Sequence, residues 1–338
     1  MKIIECVPNF SEGRNAEALA KIKASVDGKF TAKLLGFEPD NDYNRTVVTL
    51  AGDEKSILES VVALSLEAAE QIDMRTHKGE HPRLGAIDVV PFVPVRDVTM
   101  EECVSISKEY GKIISEKLQV PVYLYEEASS IPYRKSLSDI RKGEYEGLAE
   151  KILLPEWKPD FGPAERNVKL GGIVTGARFF LVAYNVNLNT EDVSFAKEIA
   201  EILRESGRIK RDANGVQIKI DGKPVKEPGR LKSVKGMGVK LENHGITQVS
   251  MNLTNYTITP IHVAFEEVKK EAQRLGVEVT GSEIVGLTPL EALIQAGVYY
   301  ANGQNFSEKD LVKLATDKLG LSSLNPFDAD SKIIDYLI

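Results

Sequence analysis

One order of elements can be read twice in this 338-residue sequence, and the repeat limits the fold more than any single motif does. In the first half, residues 2–7 alternate as a strand. Asn15 stands at a helix cap ahead of Leu19, Ile22 and Val26. Strand patterns at 31–37 and 46–50 follow. Asp53 then caps a helix whose Ile57, Val61, Leu64, Ala68 and Ile72 recur at helical spacing. The apolar run 84–95 closes the set, and Pro91 and Pro94 mark it as an edge or irregular strand. The second half begins after Gly171-Gly172 with a strand at 179–188 and a helix capped by Thr190. Next come a hairpin of 216–220 across Asp221-Gly222 and a strand at 247–253. A helix opened by Pro260 and stopped by Gly276 leads into the strand 277–285. Each half therefore reads β-α-β-β-α-β, the ferredoxin-like order. The expected fold class is α+β, two ferredoxin-like units with helices on one face of each sheet and the other face bare.

The first half also carries additions. A helix at 99–118 and a short strand at 120–125 precede a polar, proline-rich excursion over 126–163. So long an insertion without structure of its own would be unusual, so short helices are expected there.

Length and composition suit two compact units, with 42% hydrophobic and 28% charged residues. No apolar run is long enough to cross a bilayer, and Glu5, Pro8 and Asn9 break up any signal-peptide core. Cys6 and Cys103 make no disulfide framework. A cytoplasmic protein without membrane association is expected. A net charge of −7 argues against nucleic acid but leaves room for a local basic pocket.

The chemistry concentrates in T-H-K-G-E-H-P-R at residues 76–83, polar groups on a loop that runs into an apolar strand. His77 and His81 are four apart, but Gly79 and Pro82 argue against the helix that would pair them on a metal, so no metal site is expected. His81 has the ordinary pKa of a group that both takes and returns a proton near neutrality. Its other reading is a loop histidine bonded to a backbone carbonyl. The acidic stretch Glu38–Asp42 reads either as a solvated turn or as the source of a carboxylate that holds a histidine. Arg45, Lys78, Arg83, Arg166 and Arg178 flank loops at strand ends, where they would grip carboxylates. Glu144 and Glu146 read as surface helix residues. Gly162 and Gly171 bracket a flexible loop whose N–H groups suit an anionic or ring-bearing ligand. Gly236-Met237-Gly238 lacks the third glycine of a dinucleotide fingerprint. His244 and His262 read as turn and packing residues.

Several stretches carry a wider likeness: Glu5-Cys6-Val7-Pro8-Asn9-Phe10-Ser11-Glu12-Gly13, Asn44-Arg45-Thr46, His77-Lys78-Gly79-Glu80-His81-Pro82-Arg83, Pro159-Asp160-Phe161-Gly162-Pro163, Thr175-Gly176-Ala177-Arg178 and Gly281-Ser282-Glu283-Ile284-Val285-Gly286-Leu287. In one register along essentially the whole chain, they resemble the formiminotransferase family, the glutamate formimidoyltransferases. The resemblance implies transfer of the formimino group of N-formimino-L-glutamate to N5 of tetrahydrofolate, the co-substrate, in histidine degradation and one-carbon metabolism. It implies an N-terminal subdomain at 1–177 and a C-terminal one at 178–338, with a folate tunnel between them, and a homodimer. A cyclodeaminase, fused to the family's mammalian members, would be a separate protein here. By position, His81 matches the family's catalytic histidine. Glu38 falls where the family has an aspartate, one methylene longer. The folate-contacting loop falls on Gly162, Pro163, Ala164, Glu165, Arg166, Asn167, Val168, Lys169, Leu170 and Gly171. Two other readings keep this frame: formyl transfer between 5-formyltetrahydrofolate and glutamate, and a folate-binding module without turnover.

Overall fold

The computed structural model describes residues 2–79, 81–212 and 215–338. The chain divides into two compact units, residues 1–179 with 338, and residues 180–337.

In the first unit, β1 (Ile3–Cys6) and β2 (Asn9–Phe10) are one strand broken at Pro8. Helix α1 (Ala16–Ala24), strands β3 (Lys33–Asp40) and β4 (Arg45–Gly52), helix α2 (Glu54–Gln71) and strand β5 (Ile87–Arg96) follow. The broken strand lies between β4 and β5, and β3 flanks β4, all antiparallel. That is the ferredoxin-like arrangement. Helix α3 (Met100–Leu118) and strands β6 (Val122–Glu126) and β7 (Ile173–Ala177) extend it, with β7 parallel to both β5 and β6.

The caps form as the sequence implies. Asn15 accepts from the N–H groups of Glu17 and Ala18, Asp53 from Ser56, and Thr99 and Glu102 close a capping box. Ile22, Ile57, Val61, Leu64, Ile106 and Ile114 of the three helices are buried against Val48, Leu50, Val90, Phe92 and Ile173 of the sheet.

Two expectations change here. Strand β5 is central, not an edge, although it is irregular as the other reading had it, its register shifting against both β1 and β2. Its partner switches from β2 to β1 at Pro91, which gives the break only the carbonyl that accepts from Val7 N–H at 3.2 Å. A proline costs no ladder bond at such a place. Nor is the second face bare. Successive strand residues point to opposite faces, and Val89, Tyr123, Tyr125 and Val174 form a second core with Ile140, Leu148 and Ile152. The last three come from the excursion: Ile140 from α4 (Leu137–Ile140), Leu148 from α5 (Glu144–Lys151) and Ile152 from the residue that caps α5.

The second unit holds β8 (Val182–Leu188), α6 (Val193–Leu203), the two-residue strands β9 (Arg208–Ile209), β10 (Lys219–Ile220), β11 (Lys223–Pro224) and β12 (Lys226–Glu227), then β13 (Val234–Leu241), β14 (Ile246–Leu253), α7 (Ile261–Leu275) and β15 (Val279–Val285). Its sheet runs β13-β14-β8-β15, antiparallel throughout, the same arrangement again. Strand β10 pairs β11 across Asp221-Gly222 as expected. The second long strand, however, is β13 and not residues 216–220. Its glycines disguise it in sequence. At Gly238 a Cβ would lie 2.4 Å from the backbone nitrogen of Lys197, so glycine is what lets α6 pack against the strand. Asp192, not Thr190, caps α6. The face of this sheet that carries Asn185, Asn187, Gln248 and Glu283 is polar, and Gln248 donates to both Asn187 and Glu283 at 2.8 Å. Helices α8 (Leu290–Ala301) and α9 (Glu308–Leu319) complete the larger elements. Among the described residues no helix is long and apolar enough to cross a membrane.

Candidate active site

Three stretches far apart in sequence are tied together at one end of the first unit's sheet. Asn44 takes the left-handed conformation. Its Oδ1 accepts from Gly13 N–H at 2.9 Å, and its Nδ2 donates to Lys78 O at 2.8 Å. Thr46 Oγ1 donates to Glu12 O, and Ser11 Oγ to Gly85 O at 2.8 Å. Arg14 reaches Asn41 O and Lys78 O. These bonds satisfy loop carbonyls that no ladder supplies. A Cβ at Gly79 would lie 2.4 Å from Tyr43 O, so only glycine admits this approach.

The same loop is clamped from the excursion. Arg83 is buried, and its Nη1 and Nη2 donate to Glu144 and Glu146 at 2.5 and 2.6 Å. The two glutamates, read as surface residues from sequence, are thus the counter-charges of a buried guanidinium. Arg83 is fully used and is not a free carboxylate grip. Its Nε donates to His77 Nδ1 at 3.4 Å, which places the His77 proton on Nε2, donated to Asn44 O at 3.0 Å. Burial lowers the pKa of His77. Beyond the loop, buried Asp88 accepts from Leu84 N–H at 2.7 Å and pairs with Arg141.

His81 is half-buried, edge-on to Tyr43 with ring centres 6.2 Å apart. Its Nε2 lies 3.2 Å from Nη1 of Arg45. A guanidinium has only donors, so Nε2 is the unprotonated nitrogen and the proton sits on Nδ1. Burial pushes the His81 pKa down to about 4, the charges of Arg45 and Arg141 add to this, and Asp40 opposes it. Arg45 Nη1 also reaches Asn9 Oδ1 at 3.4 Å, while Arg45 Nε is buried without a partner.

The acidic stretch is strand as far as Asp40, not loop. Asp40 stands directly across from Arg45, and Glu38, two residues back on the same face, across from Val47. Glu38 is exposed. The carboxylate whose field reaches His81 is that of Asp40. Reading 38–40 as strand, with its period of two, would have brought Asp40 forward.

The glycine-bracketed loop is held by its own Asn167 and by Tyr145. Asn167 Oδ1 accepts from the N–H groups of Lys169 and Leu170, and Tyr145 OH donates to Val168 O at 2.6 Å. The Arg166 guanidinium lies 4.7 Å from the centre of the Tyr145 ring. Gly162, Ala164, Glu165 and Val168 are exposed, Pro163, Arg166, Asn167 and Lys169 half-buried, and Leu170 and Gly171 buried. The loop's end meets the histidine loop: Ala86 N–H donates to Leu170 O at 2.8 Å, and Gly172 N–H to Leu84 O at 3.2 Å. Arg178 donates to Phe179 O, and its charge partly offsets the burial that raises Glu5.

These features define an α+β protein of two like units, one of which carries a half-buried histidine under a guanidinium within a glycine-tied loop cluster. Residues 3–178 match the formiminotransferase domain, N-terminal subdomain, and residues 183–338 the formiminotransferase domain. The chain belongs to the formiminotransferase family. It is 42% identical to a glutamate formimidoyltransferase of Streptococcus pyogenes serotype M1, over 90% of this chain and 95% of that one. It is also 42% identical to one of Thermoplasma acidophilum, over 94% and 98%. A formimidoyltransferase-cyclodeaminase of Dictyostelium discoideum is 49% identical across the whole chain, which spans 60% of that protein's length.

Proposed function

We propose that this chain is a glutamate formimidoyltransferase, moving the formimino group of N-formimino-L-glutamate to N5 of tetrahydrofolate and releasing L-glutamate. The observation that carries the reading is coverage: two relatives bearing that name are matched over 95% and 98% of their length. In this reaction a bond forms between N5 and the amidine carbon as that carbon's bond to the glutamate nitrogen breaks. His81 takes the proton that N5 loses and returns it to the departing amine, help worth about a hundred- to ten-thousand-fold in rate. Glu38 and Asp40, on one face of β3, supply negative charge near the imidazolium while it exists. Residues 162–171 contact the folate. The arginines suit ligands that carry carboxylates, and the buried, unpartnered Nε of Arg45 is a donor that such a ligand would satisfy. The protein works in the cytoplasm as a homodimer, its subdomains divide at residues 177 and 178, and a cyclodeaminase would consume its product.

Purified protein with tetrahydrofolate and each donor in turn tests the substrate. Turnover with formiminoglutamate and little with 5-formyltetrahydrofolate plus glutamate is expected. The reverse preference would keep the site and replace the transferred group, and folate binding with no turnover on either would make the chain a binding module.

A further inference from the structure

In the arrangement described, His81 is not a base. The lone pair of Nε2 is already met by a donor from Arg45, and that donor carries a full positive charge. A second proton on the ring would face the guanidinium directly. Yet Arg45 itself is poorly satisfied. Its Nη1 is shared between His81 at 3.2 Å and Asn9 Oδ1 at 3.4 Å, and its Nε is shut away from solvent with no acceptor. Among the described residues it forms no ion pair. Asp40, across the strand pair, turns its Oδ1 to accept from Tyr43 N–H at 2.9 Å, and Asp88, whose carboxyl feels the charge of Arg45, is paired with Arg141. A desolvated guanidinium donor without an acceptor is costly, and a carboxylate meets two of its N–H groups at once.

We propose that Arg45 is the residue that takes a carboxylate of the incoming substrate, and that in turning to it Arg45 releases Nε2 of His81 for proton transfer. The inference rests on the transferase reading above and adds a coupling to it: the site becomes basic only when an anion has arrived. The groups that face His81 fix the direction. Arg45 from β4 and Arg141 from the excursion disfavour the imidazolium, Asp40 from β3 favours it, and the neutral Tyr43 and Asn9 complete the surroundings. A carboxylate paired with Arg45 both cancels a positive charge and frees the lone pair, so the two effects act together.

The test reads His81 directly. The chain has 4 histidines, and the His81 ring signals in an NMR titration are assigned by their loss in His81→Asn. In the free protein His81 is expected to titrate well below the ordinary histidine range. Saturating L-glutamate, or tetrahydrofolate as a second carboxylate probe, is expected to raise its midpoint by about one pH unit or more. Arg45→Gln is expected to start from the raised midpoint and to show no response to either probe. Arg45→Lys keeps the charge without the fork, so its midpoint stays low while KM for the donor rises. A His81 midpoint that neither probe moves in the unaltered protein, or that is the same in Arg45→Gln, overturns the proposal. Failure of the transferase reading looks different: no turnover with any donor, while the probes still move His81.

Discussion

Glu5 shows how strongly one side chain can feel this fold. It sits in the middle of β1 on the face opposite the helices, 5% exposed, and burial pushes its carboxyl up to about 7 despite the charge of Arg178. The raised value sets the sign. The folded state favours the neutral acid, so the contribution of Glu5 is fully present below its ordinary value near 4.5 and is lost as pH rises through about 7. Glu5→Gln should therefore stabilise the chain at pH 8, by at most roughly 3 kcal/mol, and leave it unchanged at pH 4. Urea unfolding at the two pH values measures this, and equal changes at both would show that the carboxyl does not titrate between them. His81 has the opposite sign: its lowered value gives stability above about 6.5 that is lost as pH falls toward 4. None of this is visible from sequence, where Glu5 is a polar residue in an alternating strand. Its burial depends on strands β4 and β5, which begin some 40 and 80 residues later.

The clamp on the histidine loop belongs to the scale of elements, because it joins the loop to the N-terminus of α5. Arg83 is the buried partner, 9% exposed in its side chain, while Glu144 and Glu146 are 40% and 63% exposed. The two ways of breaking it should differ. Arg83→Met leaves two carboxylates that water can take back, at a cost of about 1 kcal/mol. Glu144→Gln with Glu146→Gln leaves a guanidinium buried without counter-charge, and should cost about 3 kcal/mol. Chemical denaturation of the three proteins decides it, and a costlier Arg83→Met would mean that packing of its stem outweighs its charge. Local signals made some elements readable in advance. Asn15 and Asp53 cap where a cap was expected, and Asp221-Gly222 turns a hairpin. Where a signal was non-local it failed. Gly236 and Gly238 hid β13, which is held by pairing to β14 and by the approach of α6, and Pro91 suggested an edge because the strand break beside it is visible only in the pairing.

At the scale of the whole molecule, the doubled β-α-β-β-α-β order was legible because each half repeats one hydrophobic pattern, and both sheets adopt the same strand arrangement. The excursion over 126–163 was legible as an insertion but not as the cover of a sheet face, since the strand residues that Ile140, Leu148 and Ile152 pack with, Val89, Tyr123, Tyr125 and Val174, lie outside the stretch. The candidate site was half legible. The motif residues His81, Arg45 and Asn44 stand out by type, but their convergence comes from loops that only the sheet brings together. The function that follows depends on His81 most of all. The most direct measurement compares single-turnover formimino transfer and tetrahydrofolate binding in the unaltered chain and in His81→Asn. A rate lowered about a hundredfold or more with folate affinity retained is the predicted result. Equal loss of binding and transfer, or undiminished transfer, would contradict the assignment of His81 as the acid and base.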